Sequence, residues 1–138
     1  MTADALERFV HAQQPVIGRV LAELRAGRKT SHWMWFVFPQ IQGLGHSPMA
    51  QRFAIASRAE AEAYLQHPVL GPRLRECTAL VNGIAGRGIE EIFGYPDHLK
   101  FHSCMTLFAH ATGDNRVFIE ALDKYFAGTE DPATLHRL

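Results

Sequence analysis

Apolar residues recur every three or four positions along most of the 138-residue chain, a spacing typical of helices that bury one face. Two of the clearest apolar faces consist of Val16, Ile17, Val20, Leu21 and Leu24, and of Phe101, Cys104, Met105 and Phe108. No alternating stretch is long enough to form a sheet, and only residues 33–38 are ambiguous between helix and strand. We therefore predict one compact all-α domain over residues 1–138, a bundle of about six helices with short connections.

Several local motifs predict where the helices begin and end. Gly27 follows an apolar periodic run and is typical of a helix C-terminus. Ser47 followed by Pro48 predicts a helix start, because serine caps helices and proline suits the first helical turn. Ser57 and Glu60 have the spacing of a capping box.

Similar signals occur in the second half of the chain. Pro68 suits the first turn of another helix, and residues 89–93 resemble a short turn. The segment 97–110 has helical periodicity. Thr112-Gly113-Asp114 reads as a helix stop followed by an N-cap at Asp114, and Asp131-Pro132 predicts a last short helix.

Composition excludes several classes of partner. The chain has 14 basic and 14 acidic residues, and its formal net charge is zero. This balance argues against binding of nucleic acid through bulk charge and against a polybasic membrane contact. No apolar run approaches the roughly 20 residues of a membrane helix, and no signal peptide is evident, so we expect a cytoplasmic protein.

The tryptophans are concentrated in one short block. Residues 31–40 contain both tryptophans, Trp33 and Trp35, together with Phe36 and Phe38, and the block has His32 near one end and Gln40 at the other. Aromatic side chains carry large apolar area with little rotamer freedom, so the block can form a rigid pocket wall. It can equally form the centre of a core or a protein interface.

The loop that follows the aromatic block is a second candidate. Gly43 and Gly45 precede the predicted helix start at Ser47, where free backbone N–H groups could bind an anion. The segment lacks the Gly-Lys-Ser/Thr ending of a phosphate-binding loop, so a tight loop with a helix cap explains it as well.

Lys100 is the third candidate. On a helix, Asp97, Lys100 and Ser103 are neighbours at three-residue spacing, and Lys100 lies at the border of the apolar face. A partly desolvated lysine could accept a proton or hold an anion. The alternative is a lysine that simply pairs with Asp97 while its head group reaches solvent.

Metal and thiol chemistry have little support. His98 and His102 are four residues apart on one helix, a spacing that can hold zinc, but no third ligand is evident, so we predict no metal site and no cofactor. Cys77 and Cys104 are isolated on apolar faces, which favours buried, unreactive thiols.

Several sequence blocks in order resemble the bacterial domain-of-unknown-function 1810 family. They are residues 32–40, residues 43–45, the run Tyr64–Gly71 and the run Lys100–Phe108, and the resemblance extends from about Phe9 to Leu138. It implies an all-helical single domain. Members are sometimes labelled calpastatin, but calpastatin inhibitory segments are disordered, whereas this chain has the composition of a folded core.

A shorter likeness involves Lys100-Phe101 and Thr112-Gly113-Asp114. These residues are similar to a lysine–phenylalanine and threonine–glycine–aspartate pattern of the NADAR family, which is linked to ADP-ribose chemistry, although the spacing is shorter here. The likeness implies a nucleotide-like ligand.

Two functional hypotheses follow. The first is a binding domain, or an enzyme, for a small polar metabolite that is nucleotide-like or ADP-ribose-like. In it, Lys100 holds an anionic group, His32 orients the ligand or transfers a proton, and Trp33 or Trp35 stacks on a flat ring. The second is a non-catalytic interaction or structural domain, present as a monomer or small homo-oligomer, whose aromatic block is core or interface.

The first hypothesis makes a spatial prediction. His32, Gln40, Ser47 and Lys100 are expected to converge on one cavity, because capping or packing explains each of them separately but does not explain their convergence.

Overall fold

The structure, a computed structural model, describes residues 3–138 and consists of helices joined by short loops. Ten helices are present in that range, rather than about six. Six have nine or more residues: α1 (Ala3–Gln13), α2 (Ile17–Arg25), α5 (Arg58–Gln66), α6 (Leu70–Asn82), α8 (Asp97–Ala109) and α9 (Arg116–Phe126). The other four have four or five residues: α3 (Met34–Val37), α4 (Pro48–Arg52), α7 (Ile89–Phe93) and α10 (Pro132–Leu135). Helices this short show no periodic apolar pattern, so the starts of α4 and α10 were predicted from capping signals and α7 was not predicted.

Two predicted helix boundaries are confirmed. Gly27 lies just after α2 with a φ of +81°, a left-handed conformation that glycine adopts without steric cost. At the start of α4, the Ser47 hydroxyl accepts a hydrogen bond from the Ala50 N–H at 3.1 Å, and Pro48 occupies the first helical turn.

Other predicted boundaries need correction. The Ser57 hydroxyl caps α5 by accepting from the Glu60 N–H, but the Glu60 carboxylate accepts from the Ala56 N–H, so the capping box is only half formed. The N-cap of α9 is Asn115, not Asp114. Residues 89–93 form helix α7 rather than a turn, and α6 begins at Leu70, two residues after Pro68.

The aromatic block is mainly core. Residues 34–37 are helical, which resolves the ambiguity of that segment, and Trp33, Phe36 and Phe38 are buried. The rings of Phe38 and Phe101 meet edge to face with centroids 5.1 Å apart. The block therefore packs against α8, the helix with the most buried residues.

The segment after the block turns back on itself. Ile41 and Ile55 form one isolated parallel bridge, in which the Ile55 N–H donates to the Gln40 carbonyl and the Gln42 N–H donates to the Ile55 carbonyl, both at 2.8 Å. This bridge fixes the loop of residues 40–47 over the start of α8. Within residues 3–138, no helix is both long and apolar enough to cross a membrane.

Candidate functional site

The loop after the aromatic block, the start of α8 and the chain around α10 line an open-sided cavity of about 350 Å³, here called the Lys100 cavity. Its lining combines apolar side chains with polar groups of several types: Gln40, Leu44, Gly45, Pro96, Leu99, Lys100, His102, Ser103, Asp131 and Ala133. A narrow space of about 10 Å³ adjoins it, shares Gln40, Gly45 and Lys100 with it, and is also lined by Trp35 and Gly43. The larger cavity is of the size that holds small ligands.

Lys100 belongs to a cluster of two lysines and one carboxylate. The Nζ of Lys100 lies 3.6 Å from Asp97 Oδ1, while the Nζ of Lys29 lies 2.8 Å from Asp97 Oδ2. The Lys29 side chain is 8% exposed and that of Lys100 is 23% exposed. Because Lys29 is closer to Asp97, Lys100 is only partly neutralised, and the cluster has a net charge of +1 beside the cavity.

Each of the two lysines also lies over an indole ring. The Nζ of Lys100 is 5.3 Å from the ring centroid of Trp35, and the Nζ of Lys29 is 5.3 Å from that of Trp33. Cation–π contacts of this kind are worth about 0.5–1 kcal/mol at partly exposed sites. They hold the Lys100 ammonium between Trp35 and Asp97, where it faces the cavity.

Asp131, directly before α10, provides a carboxylate in the lining of the cavity. Its Oδ2 accepts hydrogen bonds from the hydroxyls of Ser103, at 2.8 Å, and Thr134, at 2.6 Å. Burial acts to raise the pKa of Asp131, but these hydrogen bonds and the nearby His102 hold it below the ordinary value. Asp131 is therefore an ionised hydrogen-bond acceptor at neutral pH.

The Asp131 region is held in place by α8. The Asp131 N–H donates to the hydroxyl of Thr106, which is fully buried, and the Thr106 hydroxyl donates to the His102 carbonyl. His102 is further fixed by its Nε2, which lies 2.7 Å from the Thr129 carbonyl, and by stacking on Phe126 at a centroid distance of 4.0 Å. Since a carbonyl only accepts, Nε2 must carry a proton.

The glycines of the loop have steric roles. Gly43 has a φ of +95°, and a side chain there would collide with the guanidinium group of Arg137. A Cβ at Gly45 would lie 2.6 Å from the Cβ of Ala50. These glycines let the loop lie flat against its neighbours and form the wall of the narrow space.

Of the four residues predicted to converge on one cavity, Gln40 and Lys100 line the Lys100 cavity, whereas His32 and Ser47 do not. Trp35, Gln40, Gly43, Gly45, Lys100 and Ser103 all line one of the two spaces, and Asp97 contacts Lys100 from behind. These residues come from two segments about 60 positions apart in the sequence, which the core packing of Phe38 on Phe101 brings together.

Three predicted residues lie elsewhere. His32 is exposed and lines neither space, so it is not placed to act with Lys100. The Ser47 hydroxyl is used to cap α4. Trp33 is 1% exposed, and its Nε1 donates to the Glu23 carboxylate at 3.0 Å, so it belongs to the core and is not available to stack on a ligand.

Two polar residues of the cavity, His102 and Asp131, were not predicted for it. Asp131 was recognised only as part of a helix start, and His102 only as half of a histidine pair. The helix-start signal at Asp131-Pro132 gave no indication that α10 packs on α8.

His98, His110 and the two cysteines have structural surroundings. His98 faces the Gly94 carbonyl and His110 pairs with Glu130, and no group of three potential metal ligands occurs in the described part of the chain. Both cysteines are fully buried, as predicted. Burial raises the pKa of Cys77 to about 12 and that of Cys104 well above its ordinary value, so both are unreactive thiols at neutral pH.

Comparison with known proteins gives the family and the fold. The family model described as a protein of unknown function (DUF1810) matches residues 3–138. The chain is also similar to the conserved hypothetical protein Rv1873 from Mycobacterium tuberculosis, for which a crystal structure at 1.38 Å exists. The two chains are 62% identical, the match covers 96% of this chain and 95% of that chain, and the TM-score is 0.96. No match was found among curated proteins. The ordered sequence blocks and the family match over nearly the whole chain agree, and the protein belongs to the DUF1810 family.

Proposed function

We propose that the protein is a binding domain for a small polar metabolite that carries an anionic group and several hydroxyl groups, as nucleotides and their ribosyl derivatives do. The observation that carries the proposal is the convergence of Gln40, Lys100 and Asp131 on one cavity of about 350 Å³. Core packing does not require a cation, an amide and a carboxylate to face the same hollow.

The chemistry of the lining matches such a ligand. Lys100, with its surplus positive charge, would hold the anionic group. Asp131 is an ionised acceptor that would take hydrogen bonds from hydroxyl groups, as acidic residues do for ribose in dinucleotide-binding sites. Gln40 would add a donor and an acceptor between them. The Nε2 of His102 is bound to the Thr129 carbonyl, and the imidazole would contact the ligand through the ring edge that faces away from Thr129.

A thermal-shift screen against nucleotides, nucleosides and ribosyl phosphates tests the proposal. A ligand at 100 times its Kd stabilises the folded state by about 2.7 kcal/mol, which raises the Tm by several degrees. Replacing Lys100 by Ala is expected to abolish the shift, because the anionic group loses its counter-charge in a partly buried site.

His32→Ala is the matched control, since His32 is exposed and outside the cavity. It should leave the ligand-induced shift unchanged. If no compound of these classes raises the Tm, or if the shift survives in Lys100→Ala, the proposed function is wrong.

The alternative, a protein-interaction domain, is tested by a separate measurement of self-association. Leu99, which is 48% exposed, lines the Lys100 cavity, and Tyr95, which is 75% exposed, directly precedes Pro96 of the same lining. If this surface mediates self-association, light scattering would show the mass rise with concentration, and Leu99→Glu would restore the monomer.

A further inference from the structure

Four arginines line a second concave surface, formed by α2, the loop after it and the chain between α6 and α7. Arg19 and Arg28 line one hollow of about 640 Å³, Arg25 lines another of about 430 Å³, and Arg87 lines both. We call this surface the arginine groove. None of its residues lines the Lys100 cavity, so the two sites are separate.

The four guanidinium groups are not used by the fold. Three other arginine side chains make hydrogen bonds: Arg8 with the backbone carbonyls of Arg52 and Ala54, Arg73 with Gln14, and Arg75 with the Asp114 carbonyl. Arg19, Arg25, Arg28 and Arg87 are exposed and form no side-chain hydrogen bond or ion pair with the described residues, as is also true of the exposed Arg58. What distinguishes the groove is that four such side chains, each with five N–H donors, line two adjoining hollows.

The acidic residue in the groove is already occupied. Glu23 lines the larger hollow, but its carboxylate accepts hydrogen bonds from the Thr30 N–H, the Ser31 N–H and hydroxyl, and Trp33 Nε1. Four arginines and one carboxylate leave three positive charges on a protein whose formal net charge is zero. This local surplus of positive charge gives the surface a potential that attracts anions.

Arg87 is positioned between the two hollows by the backbone beneath it. Its Nε lies 3.5 Å from where a Cβ on Gly27 would be, so the side chain crosses the left-handed turn that ends α2. Leu24, Leu80 and Ile84 form an apolar wall beside it in the smaller hollow. A ligand that fits both features has a phosphate group next to an apolar or planar group.

We propose that the arginine groove binds a small phosphate-bearing molecule, with Arg87 as its central contact and a diphosphate as the preferred group. The guanidinium fork matches two phosphate oxygens at once, which an ammonium group does not. The two hollows on either side of Arg87 give room for two linked phosphates. The volume of the smaller one lies within the range of small-molecule sites.

Inorganic pyrophosphate is the probe for the test, titrated by calorimetry at constant ionic strength with sodium chloride as the balancing salt. We expect saturable binding at one site. Arg87→Gln should raise the Kd about tenfold, and Arg87→Lys should give an intermediate loss because it retains the charge but not the fork. Arg58→Gln is the matched control, since Arg58 is exposed at the start of α5 and lines neither hollow, and it should leave the Kd unchanged.

The outcomes separate this proposal from the one for the Lys100 cavity. Pyrophosphate binding that is lost in Lys100→Ala but retained in Arg87→Gln would overturn the assignment to the groove. Equal losses in Arg87→Gln and Arg58→Gln would show only general attraction of anions and would also overturn it. Tighter binding of a short single-stranded RNA, with a steep salt dependence, would identify a nucleic-acid surface instead. A loss confined to the Arg87 variants, in proteins with unchanged circular dichroism, supports the proposal whatever the outcome of the nucleotide screen.

Discussion

Gly71→Ala is expected to lower the free energy of unfolding by about 3 kcal/mol, and the Tm by roughly 10 °C, although it adds a single methyl group. Gly71 lies in the first turn of α6, which packs against the end of α5. A Cβ at this position would collide with the carbonyl oxygen of Leu65, a backbone atom in the last turn of α5. A backbone atom cannot move aside as a side chain can, so the two helices must separate, and the buried contacts between them loosen.

Gly18→Ala is the control for the general effect of alanine on a helix. Gly18 lies near the start of α2, and a Cβ there would meet no atom within 4 Å. Because alanine has the higher helix propensity, this change should raise the stability by about 0.5–1 kcal/mol. Urea unfolding followed by circular dichroism measures both variants. Equal effects of the two substitutions would show that the close approach of α5 and α6 is not a constraint on the fold.

The example of Gly71 shows why the sequence reveals the fold class but not the packing. The three- and four-residue spacing of apolar residues correctly predicted the all-helical bundle, and the signals at Gly27 and Ser47 correctly predicted two helix ends. The block from Tyr64 to Gly71 carried part of the family resemblance. Nothing in that block states that Gly71 faces a carbonyl of the preceding helix, because this contact depends on the angle at which two helices meet.

Only part of the candidate site could be predicted, because the sequence pattern does not show how segments pack against one another. Lys100 and Gln40 were recognisable because Lys100 lies at the border of an apolar helix face and Gln40 lies at the end of the aromatic block. His32 and Trp33 were assigned to the ligand on chemical grounds, but the direction of a side chain in an irregular segment depends on tertiary contacts. The Trp33 indole turns inward because Glu23, ten residues earlier, offers it a buried acceptor. Asp131 enters the site only because Ser103 and Thr106 bind it to α8.

Glu23→Ala is expected to cost about 3 kcal/mol of unfolding free energy, a large effect for a residue with no ion pair among the described residues. The Glu23 side chain accepts four hydrogen bonds and is 9% exposed. Alanine would leave Trp33 Nε1 without its acceptor in a fully packed core. Glu120→Ala is the control, because the Glu120 pair with Arg116 is exposed on both sides and should be worth less than about 0.5 kcal/mol.

The contribution of Glu23 should also depend on pH in a defined direction. Burial acts to raise its pKa, but the hydrogen bonds from Ser31, Thr30 and Trp33 outweigh burial and lower the pKa from 4.5 to about 2. A carboxyl group with a lower pKa in the folded state stabilises the fold above its unfolded pKa, and this stabilisation is lost as the pH falls from 4.5 towards 2. With allowance for solvent screening, we expect a loss of about 2 kcal/mol.

The difference in unfolding free energy between the wild type and Glu23→Gln isolates this contribution from other carboxylates such as Asp131, which titrate in both proteins. The difference should be constant from about pH 7 to about pH 5 and shrink by about 2 kcal/mol towards about pH 2.5. A difference that stays constant over the whole range would mean that Glu23 titrates normally. In that case the hydrogen bonds would not hold the carboxylate in its charged form, and they would not be what turns Trp33 into the core and away from the Lys100 cavity.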